Sequence, residues 1–151
     1  MTPAVRPVIG WREWIALPGL GVEWVKAKVD TGAKSSSLHA FDIEVDDATG
    51  VVQFCVHPVQ DDESIVVAAH APLVDHREVK SSNGDVEVRP VIRTRAVMNG
   101  LDVEIELSLA GRDEMGFRML LGRSALRRRF VVDPARSFVG GGDRFSRPFG
   151  R

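Results

Sequence analysis

The 151-residue sequence contains one cysteine, no tyrosine, and no apolar stretch that approaches the roughly 18 residues of a membrane-spanning helix. A single cysteine excludes an intrachain disulfide and favours a reducing compartment, and we expect Cys55 to be a small buried hydrophobe. Arg6, Arg12 and Glu13 interrupt the apolar residues of the amino terminus, so the sequence predicts no signal peptide. Together these absences predict a cytoplasmic protein without a membrane partner.

Two cofactor signatures are also missing. The sequence has no Gly-x-x-x-x-Gly-Lys-Ser/Thr loop for ATP phosphates and no His-Glu-x-x-His zinc motif. The histidines His39, His57, His70 and His76 lack a recognised ligand spacing. Cys55 and His57 could supply two zinc ligands, although two residues of a hydrophobic strand explain the pair more simply. We therefore predict no cofactor and no metal-binding residue.

Charge is balanced overall but unevenly distributed. A formal net charge of -1 gives no overall attraction to nucleic acid or to a membrane surface. Residues 41–75 hold eight carboxylates and no lysine or arginine, whereas residues 112–151 hold ten arginines and four carboxylates. Such a split marks a polyanion site or keeps the surface soluble. The length fits one domain, predicted at residues 1–139, followed by a flexible tail rich in Gly and Arg at residues 140–151.

Short alternating apolar segments, separated by Gly, Pro and Asp, predict a mostly β protein with one short helix near its end. Met119-Leu120-Leu121 is continuous rather than alternating, which is typical of a buried strand. The predicted strands are residues 22–29, 41–45, 51–56, 65–69, 101–109 and 119–121, and the predicted helix is 123–129.

Asn99-Gly100 predicts a hairpin with a two-residue turn. On one face the turn sets apolar or small residues opposite each other: Met98 and Leu101, Ala96 and Val103, Thr94 and Ile105. On the other face the partners carry opposite charges and favour this register: Arg95 and Glu104, Arg93 and Glu106. These arginines are therefore interpreted as structural.

Asn83-Gly84 predicts a second hairpin of the same kind. A two-residue turn sets three pairs opposite each other: Lys80 and Glu87, Glu78 and Arg89, Val79 and Val88. Polar side chains dominate this segment, so we expect an exposed, mobile hairpin.

Asp30-Thr31-Gly32-Ala33, at the end of an alternating apolar strand, has the residue types of an aspartic peptidase turn. Asp30 would supply the carboxylate, Thr31 a hydroxyl that fixes the loop, and Gly32 a backbone N–H for the carboxylate. Because two carboxyls about 3 Å apart share one proton and divide the roles of base and acid, such catalysis needs a second aspartate. The sequence has no second Asp-Thr-Gly or Asp-Ser-Gly, which predicts a homodimer.

The order of elements resembles that of the retropepsins. Asp30 to Ala33 looks like their catalytic turn, and Leu120 to Leu126 looks like the apolar-apolar-Gly-Arg segment that leads into their final helix. More closely, residues 25–40, 81–84 with 89–92, and 119–126 resemble the bacterial RimB-like family, whose members are labelled ATP-dependent zinc proteases. The resemblance runs from about Ile9 to Val139, nearly the whole chain.

This resemblance implies an all-β, retropepsin-like closed barrel with one short C-terminal helix. It implies an aspartic peptidase that trims acidic, glutamate-rich extensions, with a functional link to an ATP-grasp glutamate ligase. Two other functions stay open: a zinc-dependent peptidase, as the family label states, or a non-catalytic module that binds peptide or nucleic acid.

Substrate contacts are predicted on both sides of the catalytic aspartate. Viral retropepsins have an acid where this chain has Lys34, so Lys34 and Arg123 would place two cations near the cleft. We expect them to bind glutamate carboxylates, or else to pair with structural acids. Ala33 and the hairpin residues Ser82, Asn83 and Gly84 are the other predicted substrate contacts, the hairpin acting as a flap.

Overall fold

The computed structural model describes residues 5–80, 84–113 and 115–141. Strands make up 57% of the structure, and the predicted all-β closed barrel with one short helix is confirmed. A 3₁₀ turn, Pro18–Leu20, follows the second strand. The strands are β1 (Val8–Ile9), β2 (Arg12–Leu17), β3 (Val22–Val29), β4 (Ser36–His39), β5 (Phe41–Asp46), β6 (Val51–Val56), β7 (Val67–Lys80), β8 (Val86–Met98), β9 (Leu101–Ala110), β10 (Met119–Leu121) and β11 (Val131–Val132), and the helix α1 is Arg123–Leu126.

Six strands of the described chain form the barrel, in the order β2-β3-β10-β4-β9-β8. Pairing of Ala16 in β2 with Val97 in β8 closes the ring. Strands β7, β6 and β5 continue the sheet outward from β8, and β1 pairs with β11 in a separate two-stranded sheet. Closure leaves the six barrel strands without a free edge, so the site-bearing loops rest on a fixed scaffold.

The core lies inside the barrel and follows from alternation along the strands. In β2, Glu13, Ile15 and Leu17 point inward and are fully buried, whereas the residues between them are partly exposed. Strand β10 is buried along its whole length, which explains its unbroken run of apolar residues. Burying β10 places the residues that follow it at the rim of the barrel core.

The β8–β9 hairpin has the predicted register, from Met98 opposite Leu101 to Arg93 opposite Glu106. Asn99 and Gly100 have φ values of 48° and 83°, as a two-residue turn of this type requires. Arg95 differs in one detail: its closest acid is Asp102, a diagonal neighbour at 2.6 Å, rather than the directly opposite Glu104. This hydrogen bond holds the pKa of Asp102 below its usual value.

The register predicted for the other hairpin is wrong by one residue. Lys80 pairs with Val86 instead of Glu87, so the connection contains five residues, 81–85, rather than the six expected around a central two-residue turn. An odd loop length shifts every partner by one and exchanges the faces of one strand. Val86 and Val88, at the start of β8, are each 60% exposed. Ser82 and Asn83 lie outside the described residues.

Two predicted boundaries also differ from the structure. The segment predicted at residues 65–69 belongs to β7, which begins at Val67 and continues to Lys80 because it pairs with both β6 and β8. Helix α1 ends at Leu126, three residues earlier than predicted. Arg128 adopts a left-handed φ of 67°, which an α-helix cannot continue through, and the turn lets Phe130 pack into the core.

A buried carboxylate holds the C-terminal segment against β2. The side chain of Glu13 accepts hydrogen bonds from the backbone N–H groups of Gly10 (2.6 Å), Val139 (3.0 Å) and Gly140 (3.1 Å). Three donors compensate the burial of one charge. Of the predicted tail, only residues 140 and 141 are described, so the domain boundary at 139 stays a prediction.

Candidate active site

Asp30 lies where β3 ends, in a turn that fixes both its backbone and its carboxylate. Its backbone N–H donates to Leu121 O at 2.9 Å, which ties the turn to the buried strand β10. The predicted hydrogen bond from Gly32 is present, because its N–H donates to Oδ1 of Asp30 at 2.9 Å. A Cβ at residue 32 would lie only 3.1 Å from the same oxygen, so glycine suits this position. The turn therefore holds one half-buried carboxylate in a defined orientation.

The topology brings the two distant sequence motifs together. Strand β10 lies between β3 and β4, parallel to the first and antiparallel to the second, so residues 30–35 loop over its end. Arg123 N–H donates to Ala33 O at 2.8 Å, and Ser124 N–H donates to Lys34 O at 3.0 Å. The start of α1 and the loop that contains Asp30 are thus hydrogen-bonded along consecutive residues.

Gly122 is the point of closest approach between these two segments. Its N–H donates to the buried hydroxyl of Ser36 at 2.9 Å, and serine side chains commonly bond to nearby backbone groups in this way. A Cβ at residue 122 would lie 2.6 Å from the carbonyl carbon of Ser35 and 3.0 Å from Ala33 O, and closer still to Ser35 O. Glycine is therefore required where these two segments cross because a Cβ would not fit there, and not because the backbone has an unusual φ.

The side chain of Arg123 contacts the turn itself. Its Nη1 donates to the carbonyl oxygens of Thr31 and Gly32, each at 3.1 Å. The predicted locking role of the Thr31 hydroxyl is not observed, since this exposed side chain forms no hydrogen bond within the described residues. Arg123 stabilises the turn in its place, because a guanidinium can span two adjacent carbonyls. A substrate contact by Arg123 stays a prediction.

Lys34 follows the turn and is exposed. Its carbonyl oxygen accepts hydrogen bonds from Ser124 N–H at 3.0 Å and Ser124 Oγ at 2.8 Å. Its ammonium group forms no ion pair across residues 5–80, 84–113 and 115–141, so the alternative of a structural acid partner is not seen there. Ala33 is half-buried beside it, with its carbonyl oxygen occupied by Arg123 N–H.

A cleft of about 480 Å³ opens beside Lys34. The loop that follows the Asp30 turn forms one wall of the cleft. Helix α1 and the residues just after it form the second wall, and strands β7 and β9 form the third. Its charged and hydroxyl side chains include those of Lys34, Ser124, Arg129, Arg77, Glu104 and Glu106. The cleft is continuous with the predicted site through Lys34 and Ser124.

The hairpin β7–β8 is the predicted flap. Gly84, the one predicted flap contact that is described, is exposed with a left-handed φ of 92°. At the base of the hairpin, Arg89 is buried and its Nε donates to Glu87 Oε1 at 2.5 Å. The hairpin therefore combines a fixed base with an exposed outer part.

Two of the four histidines contact side chains that do not form a group of metal ligands. His39 Nδ1 lies 2.6 Å from a carboxylate oxygen of Asp113, and the His57 ring stacks on Phe41 with a centroid separation of 4.3 Å. Cys55 is half-buried rather than fully buried, because β6 belongs to the outer part of the sheet. Among the residues that the structure describes, no three His, Cys, Asp or Glu side chains are grouped to hold a metal ion. This donor set does not fit a catalytic zinc.

A closed six-stranded barrel with an Asp-Thr-Gly turn tied to a Leu-Gly-Arg segment defines a retropepsin-like domain. The chain belongs to the RimB-like family, described as retropepsin-like aspartic endopeptidase RimB, whose model matches residues 8–142. Membership supports a hydrolase of the aspartic peptidase kind.

Curated relatives add a second kind of information. Proteins named "Probable alpha-L-glutamate ligase" from Shewanella halifaxensis and Desulfotalea psychrophila are 44% and 46% identical over 133 and 132 residues. The alignments cover 87% and 86% of this chain but 29% and 28% of the relatives. The chain thus spans less than a third of the length of the ligase relatives that it matches.

The fold also matches a solved structure. The crystal structure of Lpg0085, a protein of unknown function from Legionella pneumophila, has a TM-score of 0.73 and 27% identity, covering 90% of this chain and 99% of that one. In the described part of this chain, no helix has the length and apolar character needed to cross a membrane.

Sequence reasoning missed two residues around the turn. Ser124 bonds to the backbone of Lys34 and so helps to join the two motifs, and Arg129 lines the cleft. The hydroxyl that follows Gly122-Arg123 and the three successive arginines 127–129 were visible signals. The groups that these side chains contact depend on where β10 lies in the sheet, and the spacing of the motifs in the sequence does not give that position.

Proposed function

We propose that the protein is a homodimeric aspartic peptidase that hydrolyses glutamate-rich peptide extensions, with one Asp30 from each subunit. The fixed Asp30 turn carries this proposal. Its carboxylate is oriented by Gly32 N–H, its backbone is anchored on β10, and its carbonyls are held by Arg123. Orientation of this kind is what general acid-base catalysis needs from a carboxylate.

The mechanism follows from the sharing of one proton. At a separation of about 3 Å, one Asp30 stays ionised and the other protonated. The ionised carboxylate takes a proton from water as the water oxygen attacks the peptide carbonyl carbon, and the protonated carboxyl donates its proton to the carbonyl oxygen. Collapse of the tetrahedral intermediate transfers a proton to the leaving nitrogen and breaks the C–N bond, without an acyl-enzyme.

A two-fold dimer supplies the second carboxylate. Thr31 and Gly32 are exposed in the single chain, so the turn is accessible to the same turn of a second copy. An isologous interface brings identical residues together at its axis. One aspartate per chain is then sufficient for a complete pair.

The substrate class rests on two observations. Lys34, next to the turn, is exposed and forms no ion pair in the described part of the chain, which suits an acidic peptide. The long relatives are named as glutamate ligases, and a domain shared with such chains fits a role in removing glutamate or in working beside a ligase. The β7–β8 hairpin, with Gly84 and the exposed Val86 and Val88, would close over an extended peptide and exclude water.

Incubating the purified protein with oligoglutamate and oligoglutamine peptides of equal length tests this proposal. We expect cleavage of the oligoglutamate peptide, a particle of dimer mass in sedimentation, and activity that persists after thorough chelation. Loss of cleavage on chelation, or no cleavage of either peptide by a folded dimer, would contradict the aspartic mechanism.

A further inference from the structure

We propose that the cleft beside Lys34 is a carboxylate subsite in which Lys34 and Arg129 bind one glutamate side chain of the substrate. This inference rests on the proposed peptidase function and assigns its specificity to particular residues. It also differs from the sequence-based expectation, in which the second cation was Arg123. Arg129 lines the cleft and Arg123 does not, and the Arg123 side chain turns to the carbonyls of Thr31 and Gly32.

The two proposed cations lack carboxylate partners in the described structure. Arg129 is half-buried, and its Nη1 donates to Ala125 O at 3.3 Å, a neutral acceptor. A guanidinium has five N–H donors, so this bond leaves donors for a carboxylate. Lys34 contributes a flexible charge from the loop that lines the same cleft. A substrate carboxylate would give both cations a partner of opposite charge.

The two glutamates that line the cleft, Glu104 and Glu106, already form ion pairs with arginines. Glu106 lies 3.4 Å from Arg77 and 3.6 Å from Arg93, and Glu104 lies 3.7 Å from Arg93. Arg77 also lies 3.4 Å from Asp75. These pairs compensate the negative charge of the β9 wall, so that wall opposes an incoming carboxylate less than isolated acids would.

The cleft and the catalytic turn belong to one rigid unit. Ser124 bonds twice to Lys34 O, and Arg123 bonds to the turn carbonyls. Four peptide units link Asp30 to Lys34 and can span at most about 14 Å. Since an extended peptide advances about 3.3 Å per residue, the cleft would accept a side chain within about four residues of the cleaved bond.

A single-glutamate scan in an oligoglutamine peptide tests the subsite. For the wild-type protein we expect one preferred glutamate position, within about four residues of the cleaved bond. Lys34→Gln and Arg129→Gln should each lower kcat/KM for that peptide by about tenfold or more, mainly through KM, because each removes a charge-assisted hydrogen bond. Each variant should lose more activity on that peptide than on the all-glutamine peptide, which offers no side-chain carboxylate to either cation.

Arg127→Gln is the matched control. Arg127 is exposed in the same arginine run and does not line the cleft, so its replacement should not alter the preference. The proposal is overturned if the Lys34 and Arg129 variants lose activity equally on both peptides, if neither changes the preference, or if Arg127→Gln has the same effect.

A binding measurement distinguishes an error in the proposed subsite from an error in the proposed peptidase mechanism. Titration of Asp30→Asn protein with the glutamate peptide needs no hydrolysis. Weaker binding after adding Arg129→Gln, with unchanged binding after adding Arg127→Gln, supports the subsite even if the wild-type protein cleaves nothing. Equal affinities for all three proteins would contradict the subsite even if cleavage occurs.

Discussion

Replacing Asp30 by asparagine is expected to lower hydrolysis of acidic peptides by on the order of 10³-fold or more, since a homodimer loses its general base and its general acid together. An amide keeps the shape of the side chain, and its oxygen can still accept the bond from Gly32 N–H. The folded state should therefore persist. The measurement is kcat/KM on an oligoglutamate peptide, together with the urea unfolding midpoint. Full activity in a folded Asp30→Asn protein would exclude Asp30 as the catalytic group.

Asp47→Asn is the matched control, because Asp47 is an exposed acid in the turn between β5 and β6. It should leave kcat/KM unchanged. Mixing the Asp30→Asn and wild-type proteins in equal amounts, with time for subunit exchange, gives a further test. If both aspartates are needed, only one dimer in four is intact, and activity falls to about a quarter of that of an equal total amount of wild-type protein. A fall to one half would indicate independent chains.

Replacing Gly122 by alanine is expected to destabilise the protein by about 3 kcal/mol, at the upper end of the range for overpacking a well-packed interior. The new Cβ would lie 2.6 Å from the carbonyl carbon of Ser35 and 3.0 Å from Ala33 O. Both are backbone atoms, so no flexible side chain can move away. Separating the segments would also weaken the bond from Arg123 N–H to Ala33 O, and peptidase activity should fall in the fraction that still folds. Urea unfolding monitored by tryptophan fluorescence measures the change in free energy.

Gly111→Ala is the control for the loss of a glycine. No other residue lies within 4 Å of a Cβ at position 111, and Gly111 does not have a positive φ. Its replacement should change the free energy of unfolding by less than about 1 kcal/mol. If both alanine variants are equally stable, the close crossing at Gly122 does not constrain the turn.

Local patterns predicted those parts of the fold that local chemistry determines. The β8–β9 register was correct because the Asn99-Gly100 turn and the alternation of its strands agree. The register at Gly84 was wrong because the same dipeptide occurs in a five-residue connection, where loop length rather than turn preference sets the partners. Helix α1 ends early because Phe130 packs into the core, a tertiary effect that periodicity does not reveal.

The sequence predicted which residue types form the candidate site, but it did not predict most of the hydrogen bonds between them. The Asp-Thr-Gly motif and the resemblance around Gly122 identified the two segments, and the insertion of β10 between β3 and β4 joins them. Arg123 was interpreted as a substrate cation because Lys34 replaces the acid that pairs with this arginine in viral retropepsins. Its bonds to the turn carbonyls carry no sequence signal. Arg129 lies in the cleft only because the chain turns at Arg128.

The separation of the two Asp30 carboxyl groups in an experimental structure of the dimer tests the shared pair most directly. We expect their nearest oxygens to lie about 3 Å apart across a two-fold axis, close enough to share one proton. A separation beyond about 5.5 Å, the span of one bridging water, would contradict a catalytic pair formed from two copies of this turn.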